Sequence, residues 1–243
     1  MILTVDIGNT QIKWAVFASG KFSLFGRCPL SSGKKLPLYW KDLPNPEKIV
    51  VSNVAGEVAA EAIGAAITNW HINPYWVESQ PLQCGVTNSY DDPRQLGSGR
   101  WAMLIGAHSL GMGDVVVVCA GTATTIHGLT ADGKFLGGLI IPGYELMHQS
   151  LGKNADLLQS DEGIVTVLPR STQAAITSGI VKATCTTIDS FCDDMARSGH
   201  EPDKIILSGG AAEKFSEGLS LPVVVEDHLV MKGLLKISRD IAG

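Results

Sequence analysis

The stretch MILTVDIGNTQIKW, residues 1–14, gathers groups that can handle phosphate. Asp6 follows an apolar, β-branched run. Ile7, Gly8, Asn9 and Thr10 turn the chain, and Gln11, Ile12 and Lys13 open a second run with strand alternation. A plain hairpin asks only for a pair such as Asn-Gly, so this longer turn points to a ligand. Glycine and threonine at such a corner offer backbone N–H groups and a hydroxyl to phosphate oxygens. A carboxylate beside them can hold Mg²⁺, which takes one or two carboxylates together with phosphates and waters. Lys13 can neutralise a phosphoryl group in transfer, a reaction that needs positioning and charge more than covalent help. A second corner, VCAGTATTIHG (residues 118–128), repeats the scheme and carries Thr122. A glycine pair after a later strand, Gly209-Gly210 in ILSGGAAEK, lets backbone lie close to a flat ligand such as adenine.

Strands and helices must hold these corners in place. The first half reads as two strands, a loop, a strand over Lys48–Val54 and a helix over Glu57–Trp70. A long irregular stretch follows from Asn73 to Gly99, the kind of loop that more often binds than fills, and then a helix over Arg100–Leu110. After Gly111–Gly113 comes a valine-rich strand suited to full burial and a hairpin at Asp132-Gly133. Helices are expected at Tyr144–Leu151 and Thr172–Arg197, then a strand, a short helix, a strand and a closing helix, LVMKGLLKISRDIA, that runs to Ala242. The expected fold is α/β, in two related lobes, 1–110 and 111–243, each contributing one corner to a cleft between them.

Composition removes several functions. Nineteen Lys and Arg stand against 24 Asp and Glu, a net charge of −5. No basic run favours nucleic acid or an anionic membrane, and no apolar run reaches the length of a membrane span. The N-terminus enters a strand directly, with no leader pattern. Five cysteines without a CxxC pair suggest reduced thiols and a cytoplasmic protein. His108, His127 and His148 lack metal-ligand spacing.

DIGNT, GTATT and SGG resemble, in that order, the two phosphate motifs and the adenosine motif of the actin-like ATPase superfamily. Within it, YDDPRQLGSGRW (residues 90–101), GGLIIPGYELM (137–147) and STQAAITSG (171–179) resemble segments of the type III pantothenate kinases. The resemblance runs from Asp6 to about Gly233. It implies two ribonuclease-H-like lobes with mixed sheets flanked by helices, and ATP-dependent phosphorylation of pantothenate, the first step toward coenzyme A. It assigns Asp6 to Lys13, Thr122, Gly209 and Gly210 to ATP, with Asp6 on Mg²⁺. It assigns Tyr90, Gly97, Ser98, Gly99, Arg100 and Thr172 to pantothenate. The Arg100 guanidinium also fits on chemical grounds, since it matches a carboxylate bidentately. A homodimer is implied as well.

Two positions depart from the family pattern. Gly99 stands where the family carries the aspartate expected to act as general base, so turnover should be depressed unless another acid substitutes; Asp91 and Asp92 are nearest in sequence. Cys119 stands where the family often places an aspartate that binds a monovalent cation such as K⁺ or NH₄⁺. A thiol suits such a cation poorly, so no strong requirement for K⁺ or NH₄⁺ is expected. Two alternatives stay open from sequence. One is a catalytically impaired nucleotide-binding regulatory protein of the same fold; the other is a related kinase acting on a different hydroxylated acid.

Overall fold

The computed structural model describes residues 1–153 and 162–241. The first half of the chain forms β1 (Ile2–Ile7), β2 (Gln11–Ala18), β3 (Lys21–Pro29), α1 (Leu36–Tyr39), β4 (Lys48–Asn53), α2 (Glu57–Ile67), β5 (Tyr75–Trp76), β6 (Leu82–Gln83), β7 (Val86–Asn88) and α3 (Ser98–His108). The second half forms β8 (Val115–Ala120), β9 (Ala123–Leu129), β10 (Lys134–Pro142), α4 (Tyr144–Lys153), α5 (Thr172–Arg197), β11 (Lys204–Ser208), α6 (Ala212–Ser216), β12 (Val223–Val225) and α7 (Leu229–Asp240). Ala242, the expected end of the closing helix, lies outside the described residues.

The chain divides into two compact units. The first comprises Met1–Gly111, Asp132–Lys134 and His228–Gly243. Its sheet has the order β3-β2-β1-β4-β5, antiparallel from β3 to β1 and parallel from β1 to β5. The register sets Asp6 opposite Lys13 on β2 and opposite Ser52 on β4. Leu3, Val5 and Ile7 of β1, Ile12 and Trp14 of β2, and Ile49 and Val51 of β4 share one core with Ile63 of α2. That burial fixes the strands and aims the polar ends of β1 and β4 together.

Helix α7 belongs to this first unit, although the expected lobe 111–243 would place it with the second half. It packs on α3 through glycines. A Cβ at Gly106 would collide with the Leu229 carbonyl, and one at Gly233 with the Ala102 carbonyl. Lys48 Nζ donates to the carbonyls of Ser238 and Ile241 at 3.0 and 2.9 Å, tying the C-terminal end of α7 to β4. Cations in this position satisfy the orphan carbonyls of a helix end.

The second unit comprises Met112–Ala131 and Phe135–Asp227. Its strands run β10-β9-β8-β11-β12, antiparallel from β10 to β8 and parallel from β8 to β12. This is the pattern of the first unit again, a ribonuclease-H-like strand order used twice. Val116 and Val118, Ile205 and Leu207, and Ile180, Val181 and Ile188 of α5 form its core. Helix α5 takes the expected bounds, opened by Ser171, whose Oγ accepts from the Ala174 N–H at 3.3 Å.

Some elements differ from expectation. β3 occupies a stretch read as loop; it is an edge strand with mostly exposed side chains, so burial left no alternation to read. The expected loop Asn73–Gly99 holds β5, the β6–β7 hairpin and a 3₁₀ turn, Pro93–Gln95. Elements this short carry too few residues for a period. Helix α3 begins at Ser98, two residues earlier than expected, and α2 gives way after Ile67 to a 3₁₀ turn over Thr68–Trp70.

Candidate active site

The first-unit site grows from the ends of β1 and β4 and the start of α3. The β1–β2 corner is closed by the Gly8 N–H donating to the Gln11 carbonyl at 3.0 Å. Ile7 and Ile12 send their side chains into the core, so they could offer a ligand only backbone. Asn9, Thr10, Gln11 and Lys13 are exposed. Asp6 is half-buried at the end of β1. Ser52 Oγ donates to Asp6 Oδ1 at 2.7 Å. Burial pushes the Asp6 carboxyl above its ordinary range, and the Ser52 hydrogen bond and the Lys13 charge pull partly against that. A cation brought beside a desolvated carboxylate favours its ionised form.

Gly99 sits in the first turn of α3. A Cβ built on it would meet Asp6 Oδ1 at 3.4 Å, an ordinary contact, and nothing else within 4 Å. Position 99 therefore faces the Asp6 carboxylate, and neither space nor backbone demands glycine there. Ser98 Oγ accepts from the Asn53 N–H at 3.1 Å and donates to the Asn53 carbonyl at 3.3 Å, latching α3 to β4. Arg100 is held from two sides: Nη1 donates to Tyr90 Oη at 3.1 Å and Nη2 to the Gln95 carbonyl at 3.4 Å. Its guanidinium lies 5.9 Å from the Tyr90 ring centroid. Among the described residues no carboxylate forms a salt bridge with Arg100, so its charge is available to an anion. Gly97 lies beside it. Asp92 is engaged elsewhere. It binds Arg94 Nε at 3.1 Å and caps the 3₁₀ turn, and that hydrogen bonding holds its pKa low. Asp91 is exposed. The acid next to position 99 is Asp6, which sequence order did not reveal.

The second unit presents its own corner. Gly121 N–H donates to the Ala123 carbonyl at 3.1 Å, and Gly143 N–H to the Thr122 carbonyl at 3.0 Å. A Cβ at Gly143 would collide with the carbonyls of Gly121 and Thr122, which explains a glycine in the middle of GGLIIPGYELM. Thr122 is exposed. Gly209 follows β11 with φ +97 and touches the end of β8; a Cβ there would strike Ala120. The Ala211 N–H donates to the Ala120 carbonyl at 3.1 Å. Gly210 is exposed and faces open space. Thr122, Gly209 and Gly210 thus belong to one patch at the ends of β8 and β11. Cys119, half-buried near the end of β8, pairs in register with Thr125 and Ser208. Thr172 opens α5 and is exposed; the capping hydroxyl belongs to its neighbour Ser171.

Sequence reading missed Ser52 and Gly143. Ser52 had a visible signal, a lone hydroxyl in the otherwise apolar run IVVSN. Among the described residues no group of three or more His, Cys, Asp or Glu side chains converges to hold a metal. A single carboxylate beside a phosphate-type corner suits Mg²⁺ carried in with phosphates and waters, and does not build an all-protein cage.

A family model described as type III pantothenate kinase matches residues 2–194. A type III pantothenate kinase of Nitrosospira multiformis is 39% identical over 241 residues, covering 99% of this chain and 92% of the relative. One from Aromatoleum aromaticum is 40% identical, with 100% of both chains covered. Among solved structures, a conserved Campylobacter jejuni protein named for the Baf family of transcriptional activators superposes with a TM-score of 0.60 at 18% identity, covering 98% and 97% of the two chains. The ethanolamine utilization protein EutJ of Carboxydothermus hydrogenoformans gives 0.54 at 14%, covering 98% and 89%. These structural likenesses speak for the fold. The family match spans most of the chain, the two relatives span 99% and 100% of it, and the chain belongs to the type III pantothenate kinase family.

Proposed function

We propose that this chain phosphorylates pantothenate with ATP to give 4'-phosphopantothenate, the first step of coenzyme A biosynthesis. The observation that carries the reading is Arg100, a cation fixed by Tyr90 and Gln95 without a carboxylate of its own, one residue from the position that faces Asp6. Pantothenate brings the missing carboxylate to Arg100 and a primary hydroxyl for phosphorylation. Tyr90, Gly97, Ser98, Gly99 and Thr172 are assigned to the same substrate. Asp6 to Lys13, Thr122, Gly209 and Gly210 are assigned to ATP. Asp6 would hold Mg²⁺, which when bound draws charge from the phosphates. The acceptor oxygen forms a bond to the γ-phosphorus as the bond to the β-phosphate oxygen breaks, releasing ADP, and the hydroxyl proton passes to water. Lys13 offsets charge on the transferring group. Gly99 offers no acceptor for the hydroxyl proton, so turnover is depressed. Pantothenate-dependent ADP release in a coupled assay tests this; ATP binding with no such release refutes it. That second outcome would favour an impaired nucleotide-binding regulator of the same fold, the reading that Gly99 specifically supports.

The chain is further proposed to act as a cytoplasmic homodimer without a strong need for K⁺ or NH₄⁺. The five free cysteines agree with a reducing compartment, and no helix among the described residues is long and apolar enough to cross a membrane. In the second unit Ile164, Val167 and Leu168 are 83%, 91% and 81% exposed. Such apolar exposure in one short segment is typical of a surface awaiting a partner. Sedimentation of the purified chain checks the dimer; a monomer at micromolar concentration overturns it. For the cation, the Cys119 thiol offers none of the hard oxygen donors that K⁺ prefers.

A further inference from the structure

The carboxylate at the centre of the first-unit site is itself held by a residue that no motif assigns. Ser52 is fully buried, its place fixed by the parallel register of β4 with β1. Its hydroxyl donates to Asp6 Oδ1 at 2.7 Å, the ordinary length of an O–H···O hydrogen bond. The same oxygen is the atom that a Cβ on Gly99 would touch. Oδ1 therefore lies between Ser52 and position 99, with its direction set by the serine. The next residue on β4, Asn53, exchanges two backbone hydrogen bonds with Ser98 Oγ. One strand end thereby fixes both the carboxylate and the start of the helix that carries Gly99 and Arg100.

We propose that Ser52 is a positioning residue for Asp6: by occupying Oδ1 it orients the carboxylate so that Oδ2 is presented to magnesium-bound nucleotide. The proposal rests on the reading of Asp6 as the Mg²⁺-holding acid. The physical reason is that a carboxylate holding a metal needs its other lone pairs engaged, or it rotates among several orientations and binds weakly. Outer partners of this kind typically account for about 10–100-fold in metal affinity. Position 99 supplies no side chain to share the task in this protein, so the serine carries it.

The test measures binding of a non-hydrolysable ATP analogue by calorimetry, with Mg²⁺ and with EDTA, for the wild type and for Ser52→Ala. The expected result is a loss of about 10–100-fold for the variant with Mg²⁺, no difference between the two proteins in EDTA, and unchanged binding of pantothenate. A variant that keeps the full magnesium effect refutes the role of Ser52. So does a variant that loses nucleotide and pantothenate binding alike, since that is a general structural defect. Ser52→Cys, nearly the same shape with a much weaker donor, is measured alongside and judged by the same criteria should the alanine variant not fold. A wild type whose nucleotide binding ignores Mg²⁺ overturns the assignment of Asp6 and this proposal with it. Pantothenate-dependent ADP release by the wild type reports separately on the proposed activity.

Discussion

Replacing Gly99 by aspartate should separate the contribution of a base from that of the surrounding site. The backbone at this position carries no left-handed φ, and a Cβ meets only Asp6 Oδ1 at 3.4 Å. Glycine in a helix costs about 0.5–1 kcal/mol relative to alanine, so Gly99→Ala should be neutral to stabilising. Aspartate adds a favourable charge in the first turn of α3, worth about 0.3–1 kcal/mol. Against it stands the Asp6 carboxylate. At roughly 5 Å and an effective dielectric constant of about 20, two like charges repel by about 3 kcal/mol. Gly99→Asp should thus melt below wild type by about 1–2 kcal/mol of stability in EDTA, and magnesium nucleotide should recover most of that. In return, a positioned base contributes about 10²–10⁴-fold. The assay is coupled ADP release at saturating ATP and pantothenate for wild type, Gly99→Asp and Gly99→Asn. The aspartate variant should gain at least about 10²-fold in kcat, and the asparagine variant, similar in shape but not basic, should gain nothing. An aspartate variant that binds both substrates yet turns over no faster refutes the missing-base argument. An equal gain from asparagine refutes its proton-transfer part.

Other outcomes follow from the same geometry. Arg100→Lys should raise the KM for pantothenate by about 10–100-fold with a smaller change in kcat, the loss expected for a hydrogen bond to a charged group; steady-state kinetics with unchanged KM for pantothenate would remove Arg100 from that role. Gly143→Ala should destabilise by about 1–3 kcal/mol and weaken nucleotide binding, because its Cβ collides with the carbonyls of the Gly121–Thr122 corner; a melting curve and a nucleotide titration check both. Burial, with help from nearby acids, pushes Cys84 and Cys185 up to about 11 and Cys192 up to about 12. At pH 8 about one in a thousand of the Cys84 and Cys185 thiols is ionised, so alkylation of the native protein should leave all three unlabelled over the time that labels the unfolded chain. Kinase rate measured in K⁺ and in tetramethylammonium should differ little, and a strong K⁺ requirement would contradict the reading of Cys119.

Much of the fold was legible because its strands obey simple burial rules. The valine run of β8 and the apolar β4 read as buried strands, and α5 declares itself by an amphipathic period and a serine cap. The two corners were legible because glycine, threonine and aspartate have few reasons to occur together between strands. What escaped depends on distant partners. β3 is an edge strand, exposed and without alternation. The unit that α7 joins is decided by its packing on α3, β1 and β4, and a helical period cannot say which neighbour it serves. The role of Ser52 depends on the register of β4 against β1, and no local pattern encodes a register. Asp91 and Asp92 looked nearest to position 99 only because sequence distance stood in for space.

Helix α7 also bears on how the protein is made. It completes the first unit, yet the ribosome produces it after all of the second. The early sheet therefore leaves the exit tunnel with one flank of α3 bare, and the glycine faces of α3 and α7 cannot meet until translation has passed residue 240. Closing a unit with so late a segment is slow and leaves apolar surface open to aggregation in the interval. Nascent chains arrested before α7 should be held by chaperones and cut readily by protease, while chains released just beyond it become resistant.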